Sequence, residues 1–339
     1  MGDPALVSLR RVVAWYFAHV YGVTEGPGVL PFYCDPSRVG RFAVEPEALA
    51  GGYEEALFRL LVALSMYQAR RDVVIMAQQR RMTSAAVTPL SSPRRLRQLV
   101  KATNCERFGS AEGFDAGCDV AKVRGMVDCG WRPGAACHVK EATVAFRRMG
   151  DSGKLPTSAW LHLGKNAGLR SVLAEVLEAS PDPARRAELL VARLERVHRV
   201  GRKLATLFVA AVSTPALAPG LTPWFPAVDG NSLVVVDTHV ARAIDVLRPA
   251  GAARTYDART RWLKMQAGRL DLREFRPDVP GHAPRLIQQS LYAFGSKSNR
   301  TRAGDECAAQ TTPCNSCEVS LCPFTRAARS RPQHRRRST

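Results

Sequence analysis

Acidic side chains are scarce in this chain. Against 30 Asp and Glu stand 49 Lys and Arg in 339 residues, a formal net charge of +19. A protein this basic meets a polyanion; nucleic acid is the first candidate, and a merely solvated arginine-rich surface is the alternative. Long apolar runs are also missing. None approaches the roughly 20 residues that cross a bilayer, so no membrane partner is expected. The apolar stretch at 12–20 is short, follows Arg10 and Arg11, and lacks a small-residue cleavage site soon after it. It reads as an amphipathic helix rather than a signal peptide. Nine cysteines, an odd number without an export signal, disfavour a disulfide scaffold. They read as metal ligands or small buried residues of a cytoplasmic, nucleoid-associated protein. Period-2 strand patterns and internal repeats are absent as well, so the expected fold class is all-α.

What is present is helical periodicity. Helices are expected over 5–22, 139–149, 169–177, 182–197, 203–212, 258–267 and 283–294. The segment 54–82 reads as one long helix, apolar nearly all round at first and therefore central. Asp182 followed by Pro183 marks a capped helix start. Residues 26–46 read as loop, 83–93 as a Ser/Thr/Pro connector, 150–156 as a turn and 214–231 as a Pro/Gly-rich loop. Between them, 105–137 is Gly-rich and irregular. Its cysteines, Cys105, Cys118, Cys129 and Cys137, do not have zinc-finger spacing, and no second metal site is expected there. The tail from Arg326 holds six arginines and no acid. It is expected to be disordered and to add nonspecific phosphate affinity.

Two stretches carry chemistry. In Leu233-Val-Val-Val-Asp-Thr-His-Val-Ala-Arg242 a short apolar run meets a helical pattern at Val240, Ile244 and Leu247. Asp237 therefore sits at a helix N-terminus, where a carboxylate caps free amides. Further on, Cys307, Cys314, Cys317 and Cys322 are separated by six, two and four residues. A Cys-x-x-Cys pair with two further thiolates completes a tetrahedral set, which both zinc and an iron–sulfur cluster accept.

These cysteines resemble the cluster loop of the endonuclease III family of DNA glycosylases, whose last gap is five residues rather than four. Four other segments resemble the family in colinear order. Val200-Gly-Arg-Lys-Leu-Ala205 is similar to the second half of its helix-hairpin-helix signature, and Val236-Asp-Thr-His-Val240 to its Asp-Thr-His segment. Leu60-Leu-Val-Ala-Leu-Ser-Met-Tyr-Gln68 resembles the helix that ends in a glutamine facing DNA. Gly153-Lys-Leu-Pro156 resembles the turn before the hairpin. Together they span residues 55–325.

The resemblance implies an all-α fold of two helical subdomains. One covers 56–241, with the helix-hairpin-helix at about 190–212 and an unaligned insert at 100–138. The other joins 1–55 to 242–325, and 326–339 is the basic tail. It implies a monomer bound to double-stranded DNA and a [4Fe-4S] cluster on Cys307, Cys314, Cys317 and Cys322, with zinc as the alternative. Lys203 matches the nucleophilic lysine and Asp237 the catalytic aspartate. Gln68, Arg199, Gly201, Arg202 and His239 fall at DNA-contacting positions. Two departures stand out. Arg199 occupies the place of the hairpin's first glycine, which lets backbone amides approach a phosphate. Lys203 and Asp237 are 34 positions apart, because 214–231 lengthens the connection. Within it, Phe225-Pro-Ala-Val-Asp-Gly-Asn231 resembles the catalytic segment of adenine-excising relatives, so Asp229 rivals Asp237.

The implied activity is base flipping and cleavage of the N-glycosidic bond, with an associated lyase step. The alternatives are a monofunctional glycosylase and a noncatalytic, cluster-bearing DNA-binding protein. A zinc-stabilised RNA-binding factor leaves the Asp-Thr-His segment unexplained. The identity of the excised base is not legible in the sequence.

Overall fold

The computed structural model describes residues 3–68, 70–118, 120, 136–144, 146, 153–165 and 168–296. Cys129, the four late cysteines and the arginine tail lie outside these residues. The described chain is helical with no sheet, as the periodicity predicts. Its helices are α1 (Pro4–His19), α2 (Pro36–Val39), α3 (Pro46–Ala50), α4 (Glu54–Ser65), α5 (Asp72–Arg81), α6 (Ser84–Ser91), α7 (Pro93–Thr103), α8 (Ala111–Gly117), α9 (His138–Thr143), α10 (Leu155–His162), α11 (Gly168–Ala179), α12 (Pro183–Leu194), α13 (Arg202–Ser213), α14 (Thr238–Leu247), α15 (Tyr256–Ala267) and α16 (Pro284–Gly295).

The chain divides into two compact units, Leu30–Leu233 and a discontinuous one made of Met1–Val29 with Val234–Thr339. The sequence reading put the seams at 55/56 and 241/242. Residues 30–55 go with the larger unit because Tyr33, Cys34, Val39, Phe42, Val44 and Leu49 are buried in its core.

That core is organised around α4. From Ala56 to Ser65 only Arg59 escapes full burial, so the helix is central, as its all-round apolar pattern predicts. The expected single helix over 54–82 is two. α4 ends at Ser65, and the next amides turn back tightly, Met66 to Ala63 and Tyr67 to Leu64. α5 restarts at Asp72. Gln79 of α5 ties the break down. Its Nε2 donates to the Ala63 carbonyl at 3.0 Å, and its Oε1 accepts from the Tyr67 hydroxyl at 3.3 Å.

The expected connector at 83–93 is also corrected. It forms α6 and the start of α7, capped by the Thr83 and Ser92 hydroxyls. Of the Ser/Thr/Pro residues read as loop, Thr83 and Ser92 are caps and Pro93 takes the first helical position, while Thr88, Pro89 and Ser91 lie inside α6. The loop at 214–231 is not loosely held. Trp224 is buried edge-on against Phe208, and Val228 is fully covered.

In the smaller unit α16 is the central helix, with Leu286, Ile287, Leu291, Ala293 and Phe294 buried. α1, α14 and α15 pack on it. α16 also buries Arg285, Gln288 and Gln289. Arg285 donates to both glutamine oxygens, and Gln289 Nε2 donates to Glu25 at 2.7 Å.

Candidate active site

Helices α12 and α13 are successive helices joined by a short connection, at the place where the helix-hairpin-helix is expected. Asp182 caps α12 by accepting from Ala184 N at 3.0 Å, with Pro183 in the first turn. The turn that leads into the hairpin is therefore Ser180-Pro-Asp-Pro183. Gly153-Lys-Leu-Pro156, expected in that role, instead opens α10, two helices earlier. The reason is local. Both segments end in a helix-starting proline, and only the second precedes a helix that runs into the hairpin.

The hairpin spans 195–201. Val200 N donates to the Val197 carbonyl at 2.9 Å and closes a turn whose third residue is Arg199. Arg199 has φ +64, the left-handed conformation that glycine adopts without strain. Arg199 thus holds a backbone conformation that glycine favours, with a side chain attached. Gly201 is exposed, and a Cβ there would meet no atom within 4 Å. The chain's own packing does not require glycine at 201. His198 N donates to Ser158 Oγ at 2.9 Å, and Ser158 Oγ donates to Asp115 at 3.1 Å. His162 reaches the same carboxylate at 2.8 Å. Asp115 of α8 is thus linked to the hairpin through Ser158.

Lys203 lies in the first turn of α13, half-buried. Its Nζ donates to the Tyr67 carbonyl at 3.1 Å, in the break between α4 and α5. Gln68 is next in that break, with Nε2 on the Ser65 carbonyl at 2.6 Å. The structure thus brings Gln68 and Lys203 to one corner of the larger unit. Arg202 turns the other way. Its guanidinium binds Glu188 and, at 3.1 Å, Glu195, so it spans α12, the hairpin and α13.

Asp229 also belongs to the larger unit. Its Oδ1 accepts from both Asn231 N (2.9 Å) and Asn231 Nδ2 (3.0 Å) in a local cap. Asp237 belongs to the smaller unit and caps α14, with Oδ1 accepting from Val240 N at 2.7 Å. Three contacts hold the segment before it. Tyr256 Oη donates to the Val234 carbonyl at 2.8 Å and accepts from Val236 N at 3.2 Å. Gln288 Oε1 accepts from Val235 N at 3.3 Å. Burial pulls the Arg285 guanidinium below its ordinary range, and the carboxylates of Glu25 and Asp237 work against that. His239 packs its ring edge-on against Tyr292.

Tyr256, Gln288 and Ser158 are functional candidates that sequence reasoning missed. Each acts on backbone 20 to 53 positions away, and no local pattern announces such a contact. Of the irregular region's cysteines, Cys118 and Cys137 are buried and Cys105 is half-buried. No group of three His, Cys, Asp or Glu suited to a metal occurs among the described residues. No described helix is long and apolar enough to cross a membrane. Comparison of the chain with protein-family models, curated proteins and solved structures gives no match to any of them.

Proposed function

We propose that this chain is a DNA glycosylase that flips a damaged or modified nucleotide out of duplex DNA and cleaves its N-glycosidic bond. One observation carries the reading: of two successive helices joined by a short turn, the second bears Lys203 in its first turn, in colinear order with a capping aspartate, Asp237. In this chemistry the base departs with the bonding electrons and leaves positive charge on the sugar. A fixed carboxylate at Asp237 stabilises that charge. The Lys203 amine attacks C1′, loses a proton and gives a Schiff base as the sugar ring opens. Elimination then breaks the C3′–O bond and nicks the strand. Asp237 is preferred to Asp229 because Thr238-His-Val-Ala-Arg242 follows it, as in the family it resembles.

A monofunctional reading has its own support. The bond from Lys203 Nζ to the Tyr67 carbonyl suits a lysine that stays a donor and fixes the α4–α5 corner. In that case water is the nucleophile. The [4Fe-4S] cluster on Cys307, Cys314, Cys317 and Cys322 remains part of the proposal, with zinc as its alternative. Release of free base from synthetic duplexes tests the activity, and borohydride trapping separates the two readings.

A further inference from the structure

We propose that the groove between α14 and α15 seats successive phosphates of a duplex DNA strand, an inference that rests on the DNA-partner reading above. The recess measures about 440 Å³ and is lined by Thr238, Arg242, Asp245, Arg254 and Arg259 among others. Three guanidiniums thus face one carboxylate. That carboxylate is committed: Asp245 accepts from Arg259 Nε at 2.9 Å and Nη2 at 2.6 Å. Both side chains are largely covered, 17% and 19% exposed. Arg254 stands 3.9 Å from the same carboxylate but is 79% exposed, and Arg242 is exposed. The Asp245–Arg259 pair makes a rigid wall, and the excess positive charge sits on Arg242 and Arg254. Arg248 anchors the connecting loop by donating to the Ala253 carbonyl at 2.7 Å, one residue before Arg254. The Arg259 hydrogen bond, with the fields of Arg254 and Arg248, holds Asp245 below the usual carboxylate range.

Position and length then choose the ligand. Thr238, Arg242 and Asp245 fall on one face of α14 at i, i+4 and i+7, beginning beside Asp237. From Thr238 to Asp245 the helix rises about 10 Å, the reach of about two neighbouring phosphates of one strand, which stand farther apart along the backbone than their rise along the duplex axis. An open arginine-lined recess of this length suits a phosphodiester chain rather than one enclosed anion.

The test titrates a fluorescein-labelled duplex with the full chain and with Arg242→Ala/Arg254→Ala, across salt concentrations. The double variant is expected to lose about two from the slope of log affinity against log salt, and about tenfold in affinity at low salt. Arg242→Lys/Arg254→Lys keeps the charge and is expected to restore the slope. An unchanged slope in the alanine variant overturns the proposal. So does specific competition by inorganic phosphate at matched ionic strength, which makes the recess a small-anion site, or a loss seen with duplex RNA and not with DNA. A reduced slope in a protein that releases no base leaves the groove standing and removes the glycosylase reading. A parent chain that does not bind duplex DNA removes both.

Discussion

Replacing Arg199 with glycine isolates the hairpin's backbone strain. Arg199 is exposed, with φ +64 at the third position of the 197–200 turn. It also takes part in an interaction of its own, so the useful comparison is glycine against alanine, both of which remove the side chain. Left-handed backbone costs a residue with a Cβ about 1–2 kcal/mol. Glycine returns roughly 0.5–1 kcal/mol of that through its larger entropy in the unfolded chain. Arg199→Gly should therefore be more stable than Arg199→Ala by about 0.5–1 kcal/mol. In a chain of this size that is about 1–3 °C in Tm. Calorimetry of both variants in one buffer, with denaturant titrations beside it, measures the difference. Both variants should also lose about one from the salt slope of DNA binding if the guanidinium meets a phosphate. A glycine variant no more stable than the alanine one means the turn relaxes at no cost, and the strain argument is wrong.

Other outcomes follow from the same geometry. Gly201→Ala should leave the stability within about 1 kcal/mol of the parent, since its Cβ meets nothing, yet weaken duplex binding severalfold; equal binding means that no DNA backbone approaches there. Asp237→Asn keeps the cap and should cost base release about a hundredfold, near 3 kcal/mol of barrier, with Asp229→Asn as the comparison in single-turnover assays. Glu54, which accepts from the Leu169 and Arg170 amides, is held above the ordinary carboxylate range by burial. Its contribution to stability is full below pH about 4.5 and lost as pH rises through its folded pKa. The Tm of Glu54→Gln relative to the parent should thus climb between pH 4 and pH 7, and a flat difference counts against it. Purified protein should be yellow-brown with about four irons per chain; stoichiometric zinc in a colourless protein removes the cluster and leaves the glycosylase reading.

Residue spacing made much of this fold legible. The α12 cap at Asp182, the α14 cap at Asp237 and the buried α4 follow from short-range rules, since capping and helical faces are decided within a few residues. The α4–α5 break is hard to read because the segment turns polar at Gln68, Arg70, Arg71 and Asp72, as an exposed helix turn also would, and apolar residues resume at Val73, Val74 and Ile75. What holds it there is Gln79, reaching back 12 to 16 positions. The hairpin's bracing by Ser158 and the clamp of Tyr256 and Gln288 on 234–236 are long-range in the same way. Arg202 is expected at a DNA-contacting position by its place in the motif; its guanidinium meets Glu188 and Glu195 across the hairpin, long-range partners that no local pattern announces.

The central claim is base excision, and one experiment tests it most directly. Full-length protein is incubated, with borohydride present, with duplexes carrying an oxidised pyrimidine, a mismatched adenine, a deaminated base or heavily modified phage-type bases. Free base and covalent protein–DNA adduct are then resolved. The account predicts free base from at least one duplex, loss of release in Asp237→Asn, and an adduct that Lys203→Gln abolishes. Free base without an adduct establishes the monofunctional reading. Tight binding of every duplex with no base released from any of them contradicts the account.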